Sequence, residues 1–280
     1  FFDVFLVDPS HTPVGTIPLS RILCTQRHVS LYALMVADMK IIPAEMDQED
    51  VAFLFRQRDL ISAPVVDSAA QLVGVITVDD IVDVIHEEHE EDIMRLAGVG
   101  EMDDLYDAVI ATTRSRFSWL LVHLVAAMIA AYVISLFAET IEELVVLAVL
   151  MPIVATMGGT AGVQALTVVV RAIAMKELTP SNAIRTIGKE AAVGLLNGFI
   201  FAILIGAVAW GWFGSPALSG VIALAIVINL LVAGLSGSAL PVILQRLGFD
   251  PAVASSAFLT SITDVVGFYV FLGLAAALLL

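Results

Sequence analysis

Five apolar stretches fill the second half of this chain, at roughly residues 117–138, 144–174, 190–213, 217–244 and 252–280. Each reaches the ~20 residues a helix needs to cross the hydrocarbon of a bilayer. Backbone N–H and C=O groups find no water there, so such segments must satisfy them internally as helices. The whole chain of 280 residues is 59% hydrophobic, with a mean hydropathy of +0.97, too apolar for one soluble core.

Charge is concentrated outside the spans. Residues 1–116 carry 8 of the 13 Lys and Arg and most of the acids, which reads as a soluble part followed by a membrane part. Arg114 and Arg116 precede the first span, so that side is expected to be cytoplasmic. Glu139, Glu142 and Glu143 then face out, while Arg171, Lys176, Arg185, Lys189 and Arg246 all return inside. An odd number of spans, with the C-terminus outside, satisfies every basic residue. The net charge of −15 excludes a nucleic-acid partner and points to cations. A single cysteine, Cys24, excludes an internal disulfide and a thiolate zinc cluster. Phe1 stands where an initiator Met would, with no signal peptide before the domain, and the chain is read as a fragment whose N-terminus lies further upstream.

The soluble part repeats itself. VFLVDPSHTPVGTIPLSRI (4–22) and APVVDSAAQLVGVITVDDI (63–81) share an apolar run, a polar turn, and Gly followed by a second apolar run. Each predicts strand, turn, strand, helix, and the fixed spacing marks them as copies of one unit. Between them, Val51, Leu54, Phe55 and Leu60 recur near helical spacing after Asp47, a candidate cap. An acidic helix follows in VDDIVDVIHEEHEEDI (78–93), where Asp80, Asp83, Glu87 and Glu91 fall within about 80° of arc. Glu88 and Asp92 flank that stripe. Like charges at i,i+4 destabilise a helix unless something neutralises them, and no Lys or Arg lies between Arg58 and Arg95. The stripe is either a solvated face or an oxygen-only site for a hard cation.

Within the spans, Asp264 is the costly residue. An ionised carboxylate at mid-membrane costs about 2.5–3.5 kcal/mol on insertion scales. Ser256, Thr260, Asp264 and Gly267 recur at helical steps with Thr263 beside them, which predicts a polar stripe marking an ion path or proton relay, the structural alternative being a protonated Asp264 hydrogen-bonded to a neighbour. The second stretch places Pro152, Gly158, Gly159 and Gly162 near Gln164, consistent with close packing or with a broken helix lining a polar path. Asn229, Ser236, Ser238 and Pro241 in the fourth stretch are packing groups taken singly, with Asn229 also a pore-lining candidate. His123 reads as a packing or interfacial residue. No nucleophile–base pair or His-based metal triad stands out, so an enzyme is not expected.

Residues 1–90 resemble a tandem CBS (Bateman) module with its first copy truncated at the front. The resemblance implies a regulatory module that binds an adenine nucleotide such as ATP, with Thr77 and Asp80 of GVITVDD matching the phosphate and ribose contacts. The first copy has Pro18 and Arg21 there, leaving at most one such site. Adding PIVATMGGTAGVQALTVVVRAIA (152–174), KEAAVGLLNG (189–198), LPVILQRLGFDPA (240–252) and TSITDVVGF (260–268), the chain resembles the MgtE family of magnesium channels and transporters. The fold implied is a multi-domain membrane protein: an α/β CBS module followed by an all-α five-helix transmembrane domain. Its parts are a partial first CBS motif (1–36), a second CBS motif (37–93), a connecting plug-like helix (94–116) and the spans (117–280).

That resemblance further implies a homodimer in the cell (inner) membrane, with the CBS module cytoplasmic. Mg²⁺ would be both cargo and regulator. Asp264 and the Thr260 carbonyl match the pore site, and Asp80, Glu88, Glu91, Asp92 and Asp250 match regulatory Mg²⁺ ligands. Ser256, Thr263, Gly267, Gly158, Gly159, Gln164 and Asn229 would line the pore. The chain departs from the family at Thr160, where GGN is usual, and at Ser256-Ala257, where Asn-Pro is usual. Both departures bear on selectivity, so another divalent cation (Mn²⁺, Co²⁺) or an H⁺-coupled carrier is the alternative.

Overall fold

A computed structural model describes residues 3–99, 106, 108–253 and 256–280 of the chain, which divides into two compact units, Phe1–Glu91 and Asp92–Leu280. In the first unit, β1 (Asp3–Val7) and β2 (Pro13–Pro18) form an antiparallel hairpin. Short helices α1 (Leu19–Leu23) and α2 (Leu31–Leu34) follow. A three-stranded sheet then contains β3 (Ile42–Pro43), β4 (Ser62–Val66) and β5 (Leu72–Thr77), with β3 and β4 parallel and β4 and β5 antiparallel. Helix α3 (Gln48–Arg58) crosses between β3 and β4, and α4 (Val78–Leu96) leaves β5.

The repeat extends to fine detail. The limits of β1 and β4, and of β2 and β5, are offset by the same 59 positions. So are the register slips between Leu6 and Val7 and between Val65 and Val66. In each hairpin turn an aspartate accepts two backbone N–H bonds: Asp8 from Ser10 and Thr12, Asp67 from Ala69 and Gln71. The matching residues His11 (φ 64°) and Ala70 (φ 62°) both turn left-handed. An Asx turn supplies the hydrogen bonds that offset this backbone cost. The Ser62 hydroxyl donates to Asp3, its counterpart in the other copy, at 2.8 Å.

Asp47 caps α3 by accepting from Glu49 N–H at 2.9 Å, as its position ahead of the apolar periodicity predicts. The face so started buries Val51, Ala52 and Phe55 against Ile42, Ala63 and Ile81, with Leu54 and Leu60 packed at the margin.

Among the described residues the second unit contains five helices long and apolar enough to cross a membrane: α5 (Val109–Ser135), α7 (Val146–Ala174), α8 (Ala183–Phe213), α9 (Pro216–Arg246) and α10 (Ser256–Leu278). A short acidic helix, α6 (Ala138–Glu143), joins the first two, and a 3-10 turn at Pro251–Val253 precedes α10. The expected connecting helix over 94–116 is not one helix. Its start is the end of α4, its last residues from Val109 are the start of α5, and residues 97–99 and 108 are not helical. Residues 100–105 and 107 lie outside the described residues. Without Pro or Gly between Val109 and Ser135, nothing separates the Arg114–Arg116 stem from the apolar span.

Local chemistry sets the turn between α8 and α9. Gly214 (φ 64°) ends α8, Ser215 caps α9 by accepting from Leu218 N–H, and Pro216 occupies the first turn. Helix α9 is the central stave, burying Leu218, Ile222, Ile226 and Leu230 against Leu147, Leu150 and Val154 of α7 and Phe271 and Leu272 of α10. Helix α7 continues unbroken through Pro152 and its glycines, so the broken-helix expectation gives way to close packing.

Helices α8 and α9 approach each other backbone to backbone. A Cβ on Gly234 would stand 2.6 Å from the Glu190 carbonyl oxygen, whereas a Cβ on Gly220 of the same helix would meet nothing within 4 Å. Gly234→Ala is therefore expected to destabilise by about 1–3 kcal/mol through overpacking. Gly220→Ala should stabilise by up to about 1 kcal/mol through helix propensity alone. Thermal unfolding of the detergent-solubilised protein measures both, and equal midpoint shifts would contradict the packing account.

Candidate functional site

Helical periodicity puts Thr156, Thr160 and Gln164 on one face of α7, and Thr260 and Asp264 on one face of α10. These faces meet in a recess of about 510 Å³, lined also by Ala155, Gly159 and Val163. Gly159 lets the helices approach, since a Cβ there would lie 3.2 Å from Thr260 Cγ2. Asp264 is half-buried at the recess, and among the described residues it has neither an ion-pair nor a hydrogen-bond partner. A carboxylate facing hydroxyl and amide groups, but no cation of its own, is arranged to attract one.

The stripe expected around Asp264 divides. Thr260, Asp264, Gly159 and Gln164 line the recess, with Thr156 and Thr160. Thr263 does not: it is fully buried, and its hydroxyl donates back to the carbonyls of Leu259 (3.2 Å) and Thr260 (3.0 Å). The Thr260 carbonyl expected to face an ion lies within α10, where it accepts the Thr263 hydroxyl in addition to the helix's own i+4 backbone bond, so an ion there would have to compete for it. Gly158, Gly267 and Asn229 sit in the helix packing. Asn229 is buried, donates from Nδ2 to the Val154 carbonyl at 2.8 Å, and fills space that a Cβ on either glycine would invade. Ser256 begins α10, and its side chain lies outside the described residues.

Thr156 escaped the sequence reading, although its four-residue step to Thr160 and Gln164 was the available signal. Arg95 also escaped it. It pairs with Asp250, whose other oxygen accepts from Ala252 N–H at 2.8 Å at the 3-10 turn. No local pattern links residues so far apart in the chain.

Of the five acids expected to hold regulatory Mg²⁺, Asp80, Glu88, Glu91 and Asp92 lie along α4 and Asp250 stands just before the 3-10 turn. Among the described residues no group of three or more His, Cys, Asp and Glu could hold a metal ion. Asp80 and Asp92 are twelve positions apart on α4, about 18 Å along a helix axis. Asp80 accepts from Thr77 N–H (2.9 Å) and from the Thr77 hydroxyl (2.7 Å), Glu88 accepts from Gln48, and Glu91 and Asp92 also have partners. Thr77 and Asp80 thus cap the start of α4, a structural role for the pair that the sequence matched to nucleotide contacts.

The MgtE family model, described as divalent cation transporter, matches residues 151–274, and the CBS domain model matches residues 31–87. The magnesium transporter MgtE of Bacillus subtilis (strain 168) is 32% identical over 276 residues, covering 98% of this chain and 61% of that protein. The magnesium transporter MgtE of Enterococcus faecalis (strain ATCC 700802 / V583) is 33% identical over 273 residues, covering 98% and 60%. This chain therefore spans about three-fifths of the length of these curated relatives. A crystal structure of the soluble part of a magnesium transporter is 33% identical over 31% of this chain and 34% of that one, with a TM-score of 0.30.

The Thr77 hydroxyl, followed by its backbone N–H, holds the Asp80 carboxyl below its ordinary value. A depressed folded-state value means that Asp80 stabilises the fold above its ordinary, unfolded-state value, and that this contribution is lost as pH falls through the folded one. Thr77→Val should raise the Asp80 value toward the ordinary one while the backbone bond limits the change. Carboxyl ¹³C NMR titration reads this, and an unmoved midpoint would rule out the hydroxyl as the main cause.

Proposed function

We propose that this chain, whose residues 151–274 match the MgtE family model and whose residues 31–87 match the CBS domain model, is a member of the MgtE family and conducts Mg²⁺ across the cell membrane as a homodimer. The observation that carries this reading is Asp264, partnerless among the described residues, on a recess lined by Thr156, Thr160, Gln164 and Thr260. Mg²⁺ gives up its waters reluctantly and contacts one or two carboxylates while keeping several of them. One Asp264 supplies a single negative charge. A second copy brings a second carboxylate, and the hydroxyl and amide oxygens along α7 accept hydrogen bonds from the ion's water shell. The ion in turn relieves the carboxylates' desolvation and mutual repulsion.

The soluble unit reads as the sensor, on the cytoplasmic side by the placement of Arg and Lys, with the C-terminus outside. Its acids repel one another when Mg²⁺ is scarce. Ions bound by Asp80, Glu88, Glu91, Asp92 and Asp250, together with groups beyond this chain, would favour a closed state. The ligand shifts that balance only by its differential affinity for the two states. An adenine nucleotide at Thr77 and Asp80 is a second input, one that must displace or share their mutual hydrogen bonds.

Thr160 lines the recess with one hydroxyl where the family's usual Asn would present an amide, which favours transport of another divalent cation as the second reading. Flux into proteoliposomes separates these. Asp264→Ala should reduce Mg²⁺ flux by about tenfold or more, the effect of losing one hydrogen bond to a charged group. Full conduction by that variant would remove Asp264 from the path. Internal Mg²⁺ titration should progressively close the wild type, and a flat response would defeat the sensor assignment. Mn²⁺ or Co²⁺ passing in preference to Mg²⁺ would favour the second reading, and flux that collapses without a proton gradient would make the protein a coupled carrier.

A further inference from the structure

Helix α10 has two unlike faces. About 150° round the helix from Thr260 and Asp264, its Phe258, Ile262 and Val265 face a separate cleft of about 870 Å³. Leu121, Val125 and Ile129 of α5 and Leu244 of α9 close the other walls. The one polar lining side chain among the described residues is Ser261, whose hydroxyl is engaged by the Ala257 carbonyl at 2.6 Å. The cleft therefore offers nothing to orient a polar ligand, although its volume lies in the range of ligand pockets, ~300–1,000 Å³.

Its chemistry changes at one end. Arg114 lies seven residues before Leu121 on α5, within about 20° of it around the helix and about 10 Å further along the axis. Arg114 is exposed and has no partner among the described residues. The arrangement is an apolar slot between membrane-crossing helices with one guanidinium beyond its end, on the side the basic residues mark as cytoplasmic.

We propose that this cleft holds one acyl chain of an anionic phospholipid from the cytoplasmic leaflet, with the lipid phosphate at Arg114. Charge complementarity selects an anionic headgroup over a zwitterionic one, and the saturated polar groups of the wall select hydrocarbon. The choice of a lipid over a second copy of the chain rests on the function reading above. There the partner meets the Asp264 face of α10, so the opposite face opens toward the bilayer. A lipid seated here would brace the back of the helix that carries Asp264.

Native mass spectrometry of the detergent-purified protein, titrated with phosphatidylglycerol or phosphatidylcholine, tests the assignment without a flux measurement. The wild type should retain one phosphatidylglycerol per chain and prefer it to phosphatidylcholine. Arg114→Gln, an exposed change that leaves the fold intact, should reduce that preference by about fivefold, the share of one Arg near an anionic surface. Ala126→Trp, which fills the cleft from α5, should release both lipids. Equal retention by wild type and Ala126→Trp would overturn the proposal, as would an Arg114→Gln preference identical to that of the wild type. Loss of the oligomer in Ala126→Trp with lipid counts unchanged would instead assign the cleft to a second copy. A protein that retains the lipid but passes no Mg²⁺ would sink the transport reading and leave this one standing.

Discussion

A carboxylate inside hydrocarbon must be given polar company, and that requirement at Asp264 organises the membrane unit. Thr156, Thr160 and Gln164 face it from α7, which works only if the two helices lie close together. Gly159 provides that approach opposite Thr260. Asn229 then holds the spacing from behind. Its amide nitrogen bonds the Val154 carbonyl on α7, while its bulk fits against Gly158 on α7 and Gly267 on α10. One buried side chain on α9 thus touches both walls of the recess from the packed side. Its Oδ1 has no partner among the described residues, and leaving a buried acceptor unmade costs about 1–3 kcal/mol. The packing around that amide must outweigh the cost.

Much of this was legible in sequence, because periodicity encodes which face of an element is polar. The five apolar stretches returned, among the described residues, as five helices long and apolar enough to cross a membrane, and the duplicated hairpin returned with its turns, left-handed residues and register slips at one fixed offset. The polar step from Thr260 to Asp264 was visible for the same reason. Periodicity does not say which helix covers a face. Thr263 sits beside Asp264 in sequence, yet its hydroxyl folds back on the Leu259 and Thr260 carbonyls. Gly158 and Gly159 are adjacent, but 100° of rotation sends one to Asn229 and the other to the recess. Partners 75 positions apart, such as Asn229 and Val154, leave no trace in a local window.

A second kind of ambiguity is chemical. Thr-x-x-Asp at residues 77–80 is what a helix start needs for capping and also what a phosphate-binding turn needs for contacts. Sequence cannot separate these uses, since the same oxygens serve both. In the fold the residues satisfy each other, so any ligand there must compete with an existing hydrogen bond.

Asp250 raises the same competition with charges in place of dipoles. Both of its oxygens are engaged, one by the N–H of Ala252 in the turn leading into α10 and the other by Arg95 just before the end of α4. Leu96 packs beside that pair against a cluster containing Leu166 and Leu259. A covalently tethered cation therefore occupies the carboxylate that the family resemblance gives to a divalent ion. For Mg²⁺ to bind there, its stronger charge must outweigh both its own dehydration and the loss of the Arg95 pair in a partly buried setting, where breaking such a pair is costly. An ion that only replaced Arg95 would gain little. One that also bridged Asp250 to other acids would gain more, because their mutual repulsion would disappear in the same step. Under the proposed sensor reading, Arg95 would therefore set the threshold an ion must exceed at Asp250, and a site weakened in this way would respond only when the ion is abundant.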